Sequence, residues 1–526
     1  ANAGLDIEMP AQQWFDNKSL ANAVESGAVK MQTLQDKAIK IVYPMAKLGM
    51  IGGPWPDGRR MKANVTSDEH RGVAHDLAIK GYVLLKNDNN ILPVPLPGIN
   101  QQKETITLIG DYCHDSVARG RGSGEVDPIR WYTYYDGFKE VAGDSYNIVY
   151  VPTKNAGGPR IKKALHDSAY VFICLGATST EALDRSTLML DDDNLMYDAM
   201  RFSTSTSKLI VLVNSPGAAL MHWAPHPEVN AILCGFFPGE FFGPAAAQII
   251  FGKTAPTGRL PLTMPITQND HKFTPSQFPG VREGVWGWPI ISQVISFSEY
   301  IWYAGKWLKV FILGQEKENP VIWDNDPFGG LVTTRYTERL EVGYRYYTAN
   351  KVKPRYPFGW GLTYTTFEFS DLNTNGGSSD GSFSWSVTVN NIGKNSGIET
   401  VQGYLTYPEH VGEPPMQLKA FGQTDSIAAG SSATFTGTLP AEELKVWSHA
   451  KAGWVTPKGH FIFCVAKHVD DENRLCVDIE PKITEGDDCV WYADNEISTS
   501  RGFASESVKS KIDKAFTQAE DMIVYT

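Results

Sequence analysis

TITLIGD (105–111), YNIVYVP (146–152), AYVFICLG (169–176), LIVLVN (209–214) and VNAILCGFF (229–237) decide the fold. Each is a short, β-branched and largely apolar run instead of one alternately apolar and polar. Such a strand must be covered on both faces, which is the habit of a mostly parallel sheet lying between helices. The intervals supply the helices, for example NLMYDAMRFSTSTS (194–207) and PAAAQIIFG (244–252). Upstream, SDEHRGVAHDLAIKGYVLLK (67–86) reads as one helix, with Ser67 placed to start it. Residues 11–50 carry helical spacing, and the Gly- and Pro-rich IGGPWPDGRR (51–60) reads as a linker.

Downstream of about residue 380 the texture changes. FSWSVTVNNIG (383–393), TVQGYLTYPE (400–409), SATFTGTL (432–439) and HFIFCVAKHV (460–469) alternate with period two and are punctuated by Gly, Asn and Pro. That pattern predicts an antiparallel β-sandwich of about 110 residues. The last stretch is polar and ends in an amphipathic helix candidate, ESVKSKIDKAFTQAEDMI (506–523).

Composition removes several functions. Lys and Arg number 48 against 59 Asp and Glu, a net charge of −11 over 526 residues, which leaves no basic footprint for nucleic acid or an anionic membrane. The most apolar aromatic stretch, Val285 to Leu313, is interrupted by Ser, Gln, Glu and Lys and makes a poor membrane span. The opening ANAGLDIEMP has neither the charged nor the apolar part of a secretory leader. None of the six cysteines forms a CxxC pair, which argues against zinc and redox motifs. Cys174 and Cys234 read as buried small hydrophobes, whereas Cys464, Cys476 and Cys489 lie close enough to share one disulfide that the sequence does not choose. His222 and His226 have metal spacing, but Pro225 and Pro227 forbid the helix that would use it. RGSGEVDP (121–128) lacks the lysine of a phosphate loop. No metal or cofactor is expected. Two Asn-x-Ser/Thr sequons, at Asn17 and Asn64, matter if the protein is secreted.

Ordered blocks then become specific: VLLKNDNNILPV (83–94), RGSGEVDP, EALDR (181–185), NSPGAALMHWA (214–224), GFFPGEFFGPAAAQIIFGKTAPTGRLPLTMP (235–265), FTPSQFPGV (273–281), YTERLEVGYRYY (336–347) and PRYPFGWGLTYTTFEFSDL (354–372). Together they resemble glycoside hydrolase family 3, the β-glucosidase and β-xylosidase type, over roughly residues 1–470. The resemblance implies an α/β sandwich over 67–371, a fibronectin type III-like domain over 372–482 and a tail over 483–526. Residues 1–66 would be a remnant of a β/α barrel with its linker. ANAGLDIEMP looks like a barrel loop that follows the nucleophilic Asp, so the nucleophile and most of the barrel are expected to lie outside these residues.

Retaining glycoside hydrolysis needs two carboxyl groups about 5–5.5 Å apart, one attacking the anomeric carbon and one serving as acid and then base. By motif match the acid/base is Glu338 in YTERLEVGYRYY, with Glu341 the rival. Asp184 and Arg185 in EALDR stand where a strand's carboxyl end usually carries ligand groups. They are substrate-binding candidates, with a structural ion pair as the competing reading. Ala182 occupies a position where the family commonly has Gly. Glu181 and Trp360 are further candidates for the rim of the cleft, Trp360 with a core role as its alternative. The substrate class implied is β-linked glucosides or oligosaccharides, released from the terminal β-D-glucosyl end without cofactor, and the location implied is secreted or vacuolar/lysosomal. The 526 residues alone are expected to hydrolyse little. Two other readings compete: a non-catalytic carbohydrate-binding or scaffold protein, and one chain of a two-chain enzyme whose barrel is separate. A homo-oligomer is open.

One stretch fits no block. Residues 282–332 carry REGVWGWPIISQVISFSEYIWYAGKWLKVFILGQEKENPVIWDNDPFGG where the family usually has a short loop. An aromatic lid, an assembly surface and a gene-model artefact compete, and the position just before Glu338 implies that the insert could displace it.

Overall fold

The computed structural model describes residues 2, 4–9, 15–51, 63–98, 102–115, 118–181, 185–203, 207–278, 281–282, 332–375, 380–448, 451 and 453–481. The chain divides into two compact units, residues 1–71 and 72–526. Within the first, the helical spacing of residues 11–50 takes the form of two helices, α1 (Asn17–Glu25) and α2 (Met31–Lys47), with the positive-φ Gly27 between them. Asp16 caps α1 by accepting from Lys18 N and Ser19 N. Among the described residues no complete barrel stands.

The second unit is built on a six-stranded sheet. Its order is β1 (Val83–Asn87), β6 (Val229–Cys234), β5 (Lys208–Asn214), β4 (Tyr170–Gly176), β2 (Glu104–Ile109), β3 (Tyr146–Val151). Five strands are parallel and β1 is antiparallel to β6, which gives the mostly parallel sheet that the apolar runs predict. Side chains alternate along each strand into two cores. Val171, Ile173 and Leu175 of β4 pack with α5 (Gly158–Asp167) and α6 (Asn194–Phe202) on one face. Phe172 and Cys174 pack with α4 (Tyr134–Ala142) and α7 (Phe242–Ile250) on the other. Helices α4 and α7 cross at two glycines, where a Cβ on Gly243 would lie 1.7 Å from the Thr133 carbonyl oxygen.

One expectation fails here. Residues 67–86 are not a single helix: α3 spans Asp68–Gly81, and Val83–Asn87 pair as β1 with β6, Val83 opposite Cys234 and Leu84 opposite Leu233. Short apolar runs do not distinguish strand from helix by period alone. The open edge of β6 decides, because it offers Val83, Leu84 and Leu85 complete burial.

The β-sandwich pairs β13 (Ser432–Leu439), β10 (Phe383–Asn391) and β9 (Phe367–Asn375) against β12 (Gln417–Gln423), β11 (Thr400–Thr406), β16 (Phe461–Ala466) and β17 (Leu475–Ile479). Trp385, Val387, Val389, Val401, Phe461 and Phe463 fill the space between the sheets. It is joined to the α/β layer by a buried ion pair, Arg259 Nη2 to Glu399 Oε1, with side chains 8% and 5% exposed. Gln402 Nε2 also donates to Gly359 O at 3.0 Å, and Val469 N to Phe358 O at 3.1 Å.

The cysteine reading needs correction. Cys174 is buried but not a lone hydrophobe, because it is disulfide-bonded to Cys113 in the turn after β2. Cys464 pairs with Cys476 across β16 and β17, and buried Cys234 is free. Cys489, the tail 483–526 with its helix candidate, and nearly all of the 282–332 insert lie outside the described residues. The insert's ends are described: β7 (Val281–Arg282) pairs with β8 (Val332–Thr333), Arg282 opposite Val332.

Candidate functional site

The sheet reverses its order between β2 and β4, since the chain runs from β2 outward to β3, returns past β2 to β4, and continues to β5 and β6. Loops at the carboxyl ends of such strands form the crevice of a doubly wound sheet. The loop after β4 is held by a latch. Asp191 accepts from the Tyr112 hydroxyl at 2.8 Å, from Thr178 N at 2.9 Å and from Thr178 Oγ1 at 3.1 Å. Arg185 donates to Asp191 Oδ1 at 3.2 Å and to the carbonyls of Thr178 and Met189. Burial works to raise the Asp191 pKa, but the Thr178 amide, the Tyr112 hydroxyl and Arg185 together hold it below the ordinary carboxylate value. Arg185 thus spends its guanidinium on its own loop, and the ion pair runs to Asp191. Asp184 lies outside the described residues.

The same loop reaches the next element through Gln268, whose Oε1 accepts from Thr187 Oγ1 at 3.1 Å and Leu188 N at 2.9 Å. Gln268 belongs to a segment, 265–278, that is bound to itself. Asp270 caps it by accepting from Ile266 N and Thr267 N at 2.7 and 2.9 Å. Asn269 exchanges two bonds with Phe273, and Thr274 accepts from Gln277 N at 2.9 Å. Two neighbours then fix the turn that carries Glu338. Arg335 N donates to Ser276 O at 2.8 Å, and Gln277 Nε2 donates to Glu338 Oε2 at 3.3 Å. Arg339 adopts a positive φ of 52° directly after Glu338, which turns the chain back sharply.

Glu338 is half-buried on this turn. Beside it His271 sits among the rings of Phe273, Tyr346 and Tyr347, with centroids 5.0, 4.7 and 5.1 Å away. Burial pulls the imidazole below the usual histidine value, against the opposing pull of the Asp270 and Glu338 carboxylates. Helix α8 (Tyr344–Asn350) follows and ties the turn to the β-sandwich. The Tyr344 ring stacks on Phe358 at 4.3 Å, and its hydroxyl accepts from Leu418 N at 2.9 Å. Glu341 is engaged elsewhere, accepting from Asn350 Nδ2 at 2.6 Å. The β7–β8 pair joins the two ends of the insert, and beyond it Ser276 and Gln277 meet Arg335 and Glu338; the insert itself lies outside the described residues.

The remaining candidates divide. Glu181 Oε2 accepts from Ser123 N at 2.9 Å, joining the RGSG loop to the loop after β4, and the Ser123 hydroxyl and then its amide hold the Glu181 carboxyl below the usual value. Trp360 packs against the core and donates from Nε1 to Leu85 O at 3.0 Å. His222 and His226 flank a turn, with His226 N donating to Trp223 O. Among the described residues no group of three or more His, Cys, Asp and Glu is placed to hold a metal ion. None of their helices is long and apolar enough to cross a membrane. Sequence reasoning missed Gln277, His271 and Gln268, and no spacing rule singles them out.

Comparison with known proteins agrees with this architecture. Residues 82–299 match the glycosyl hydrolase family 3 C-terminal domain, and residues 399–469 a fibronectin type III-like domain. Thermostable beta-glucosidase B of Acetivibrio thermocellus is 26% identical over 485 residues, covering 89% of this chain and 55% of that protein. Probable beta-glucosidase L of Emericella nidulans is 27% identical over 522 residues, covering 88% and 62%. A solved β-glucosidase from Chaetomella raphigera has the same fold, with a TM-score of 0.68 at 24% identity, covering 91% of this chain and 66% of that one. The chain thus spans less than two thirds of the length of these two curated relatives. By these matches residues 82–299 are similar to the C-terminal domain of glycosyl hydrolase family 3 and residues 399–469 to a fibronectin type III-like domain, and the chain is similar to β-glucosidases that carry both.

Proposed function

We propose that these residues supply the acid/base half of a retaining β-glucosidase, with Glu338 as the proton donor and acceptor. The observation that carries this reading is the placement of Glu338. It is half-buried on a sharp turn, held by Gln277 and tied through α8 to a second domain. Glu341, the rival, is committed to Asn350. A carboxyl in this position would protonate the leaving oxygen and then take a proton from water. The attacking carboxylate is contributed by barrel residues outside these 526, from the same polypeptide or from a separate chain. Alone, these residues hydrolyse little. Arg185 shapes the loop after β4 and does not grip sugar directly. Terminal β-D-glucosyl units are the substrate class, and the two disulfides support an oxidising, secretory compartment for the protein.

The test compares p-nitrophenyl β-glucoside turnover by residues 1–526 alone and by the same residues with their barrel. With the barrel present, Glu338→Gln is expected to lower kcat about 100- to 10,000-fold, while Glu341→Gln stays within a few-fold. A 2,4-dinitrophenyl leaving group needs little protonation, so the glycosylation step of Glu338→Gln should be spared with that substrate. Robust turnover by residues 1–526 alone would defeat the division into halves. Binding of cello-oligosaccharides without turnover in the barrel-containing protein would favour the carbohydrate-binding reading instead.

A further inference from the structure

The two sequons, Asn17-Lys18-Ser19 and Asn64-Val65-Thr66, are motifs that hydrolysis leaves unused, and the structure treats them differently. Asn17 is the first residue of α1. Its partner hydroxyl, Ser19 Oγ, donates to Asp16 Oδ2, and the same carboxylate takes the Lys18 and Ser19 amides as the helix cap. Residues two apart on a helix do not face each other, so Asn17 and Ser19 do not present one joint surface. Using this sequon would require unwinding the first turn and releasing the cap.

Asn64 is placed in the opposite way. Residues 63–67 have no helical or strand pairing, and every residue from 63 to 70 is exposed. Asn64 Oδ1 accepts from Thr66 N at 3.0 Å, which closes an Asx turn across the sequon. His70 Nδ1 bonds the Val65 carbonyl at 3.0 Å, and Ser67 Oγ accepts from His70 N at 3.1 Å, so the start of α3 holds the turn in shape. Bonding at Oδ1 draws electron density from the carboxamide and makes the Nδ2 hydrogens more acidic. Among the described residues no acceptor takes those hydrogens, and the Thr66 hydroxyl is not committed to a cap.

The geometry points to Asn64 as the acceptor of an N-linked glycan and to Asn17 as a sequon that stays bare. In the transfer, Asn64 Nδ2 forms a bond to the anomeric carbon of an oligosaccharide carried on a polyprenyl diphosphate. The anomeric C–O bond to the diphosphate breaks, the polyprenyl diphosphate leaves with the electron pair, and the amide gives up one proton. The inference rests on the secretory compartment proposed from the disulfides, and the experiment separates the two.

The full chain, given an N-terminal secretory leader, is translated with microsomes, and molecules protected from added protease are scored. One mobility step removable by peptide-N-glycosidase is expected. It should be lost in Asn64→Gln and in Thr66→Ala, and kept in Thr66→Ser and Asn17→Gln. Release of the glycan in 18O water should mark position 64 alone. A protected chain without glycan, or one carrying its glycan at Asn17, overturns the assignment whatever the fate of the compartment reading. Free thiols at Cys113, Cys174, Cys464 and Cys476 in protein from its native source would instead remove the compartment reading.

Discussion

Asp191 shows what a single residue does for the crevice. Four donors converge on it from Tyr112, Thr178 and Arg185, so its charge is part of the loop's structure. The ion pair is mostly buried, with Arg185 and Asp191 side chains 21% and 17% exposed. Asp191→Asn leaves the shape but removes the charge, and should cost about 1–3 kcal/mol by chemical denaturation. The pH dependence has a definite sign. The folded-state pKa lies below the ordinary value of 3.8, so the unfolded chain takes up the proton first as pH falls. The contribution is therefore complete above the unfolded value and is lost as pH falls through the lower folded one. The difference in Tm between wild type and Asp191→Asn should stay constant from about pH 7 to about pH 5 and shrink below about pH 4. A difference that grows on acidification would show that the charge is not what the loop needs. Legibility also divides at this scale. Arg185 was nameable because its motif is short and local, whereas its real partner, Asp191, stands six residues on and is chosen by a hydroxyl on another strand's loop. Gln277 meets Glu338 across 61 positions of sequence, and the Cys113–Cys174 pair joins the ends of two strands, so neither could be read from spacing.

At the scale of elements, the strands were legible wherever burial left one solution. The runs of β4, β5 and β6 are buried almost throughout, and only a sheet covered twice accepts that, whereas edge strand β3 leaves Asn147 and Val149 exposed. β1 was not legible, because VLLK satisfies a helix as well as a strand until the edge of β6 is known. β12, QLKAFGQ, has no clean alternation and owes its place to pairing with β11. The same reasoning bears on the aromatic insert. Arg282 and Val332 are register partners, so the chain returns to its starting point before the Glu338 turn begins. Replacing residues 283–331 with Asn-Gly should close the pair as a two-residue hairpin. The shortened protein should melt within a few degrees of the parent. Its crystal structure should keep Gln277 Nε2 bonded to Glu338 Oε2, now 3.3 Å apart. A soluble variant in which that bond is gone would mean that the insert, and not the ladder, holds the site.

For the molecule as a whole, the question is how a β-sandwich comes to influence a turn in the α/β layer. Leu418 of β12 bonds the Tyr344 hydroxyl, and Tyr344 begins the helix that follows Glu338. The anchor of that arrangement is Arg259–Glu399, an ion pair between the layers that is almost wholly removed from water. A pair of this kind gains little over a well-packed apolar contact, because both ions lose their hydration. Removing one partner is another matter, since a charge is then buried alone. Glu399→Ala should therefore destabilise by about 3–5 kcal/mol, and Arg259→Met/Glu399→Leu by much less, although it removes more of the interface. Calorimetry gives the second readout. If the pair welds the layers, the parent melts in one transition over these domains, Glu399→Ala splits it into two, and the apolar double variant restores one. Equal losses in the single and double variants would place the coupling in the surrounding hydrogen bonds of Thr400 and Gln402 instead.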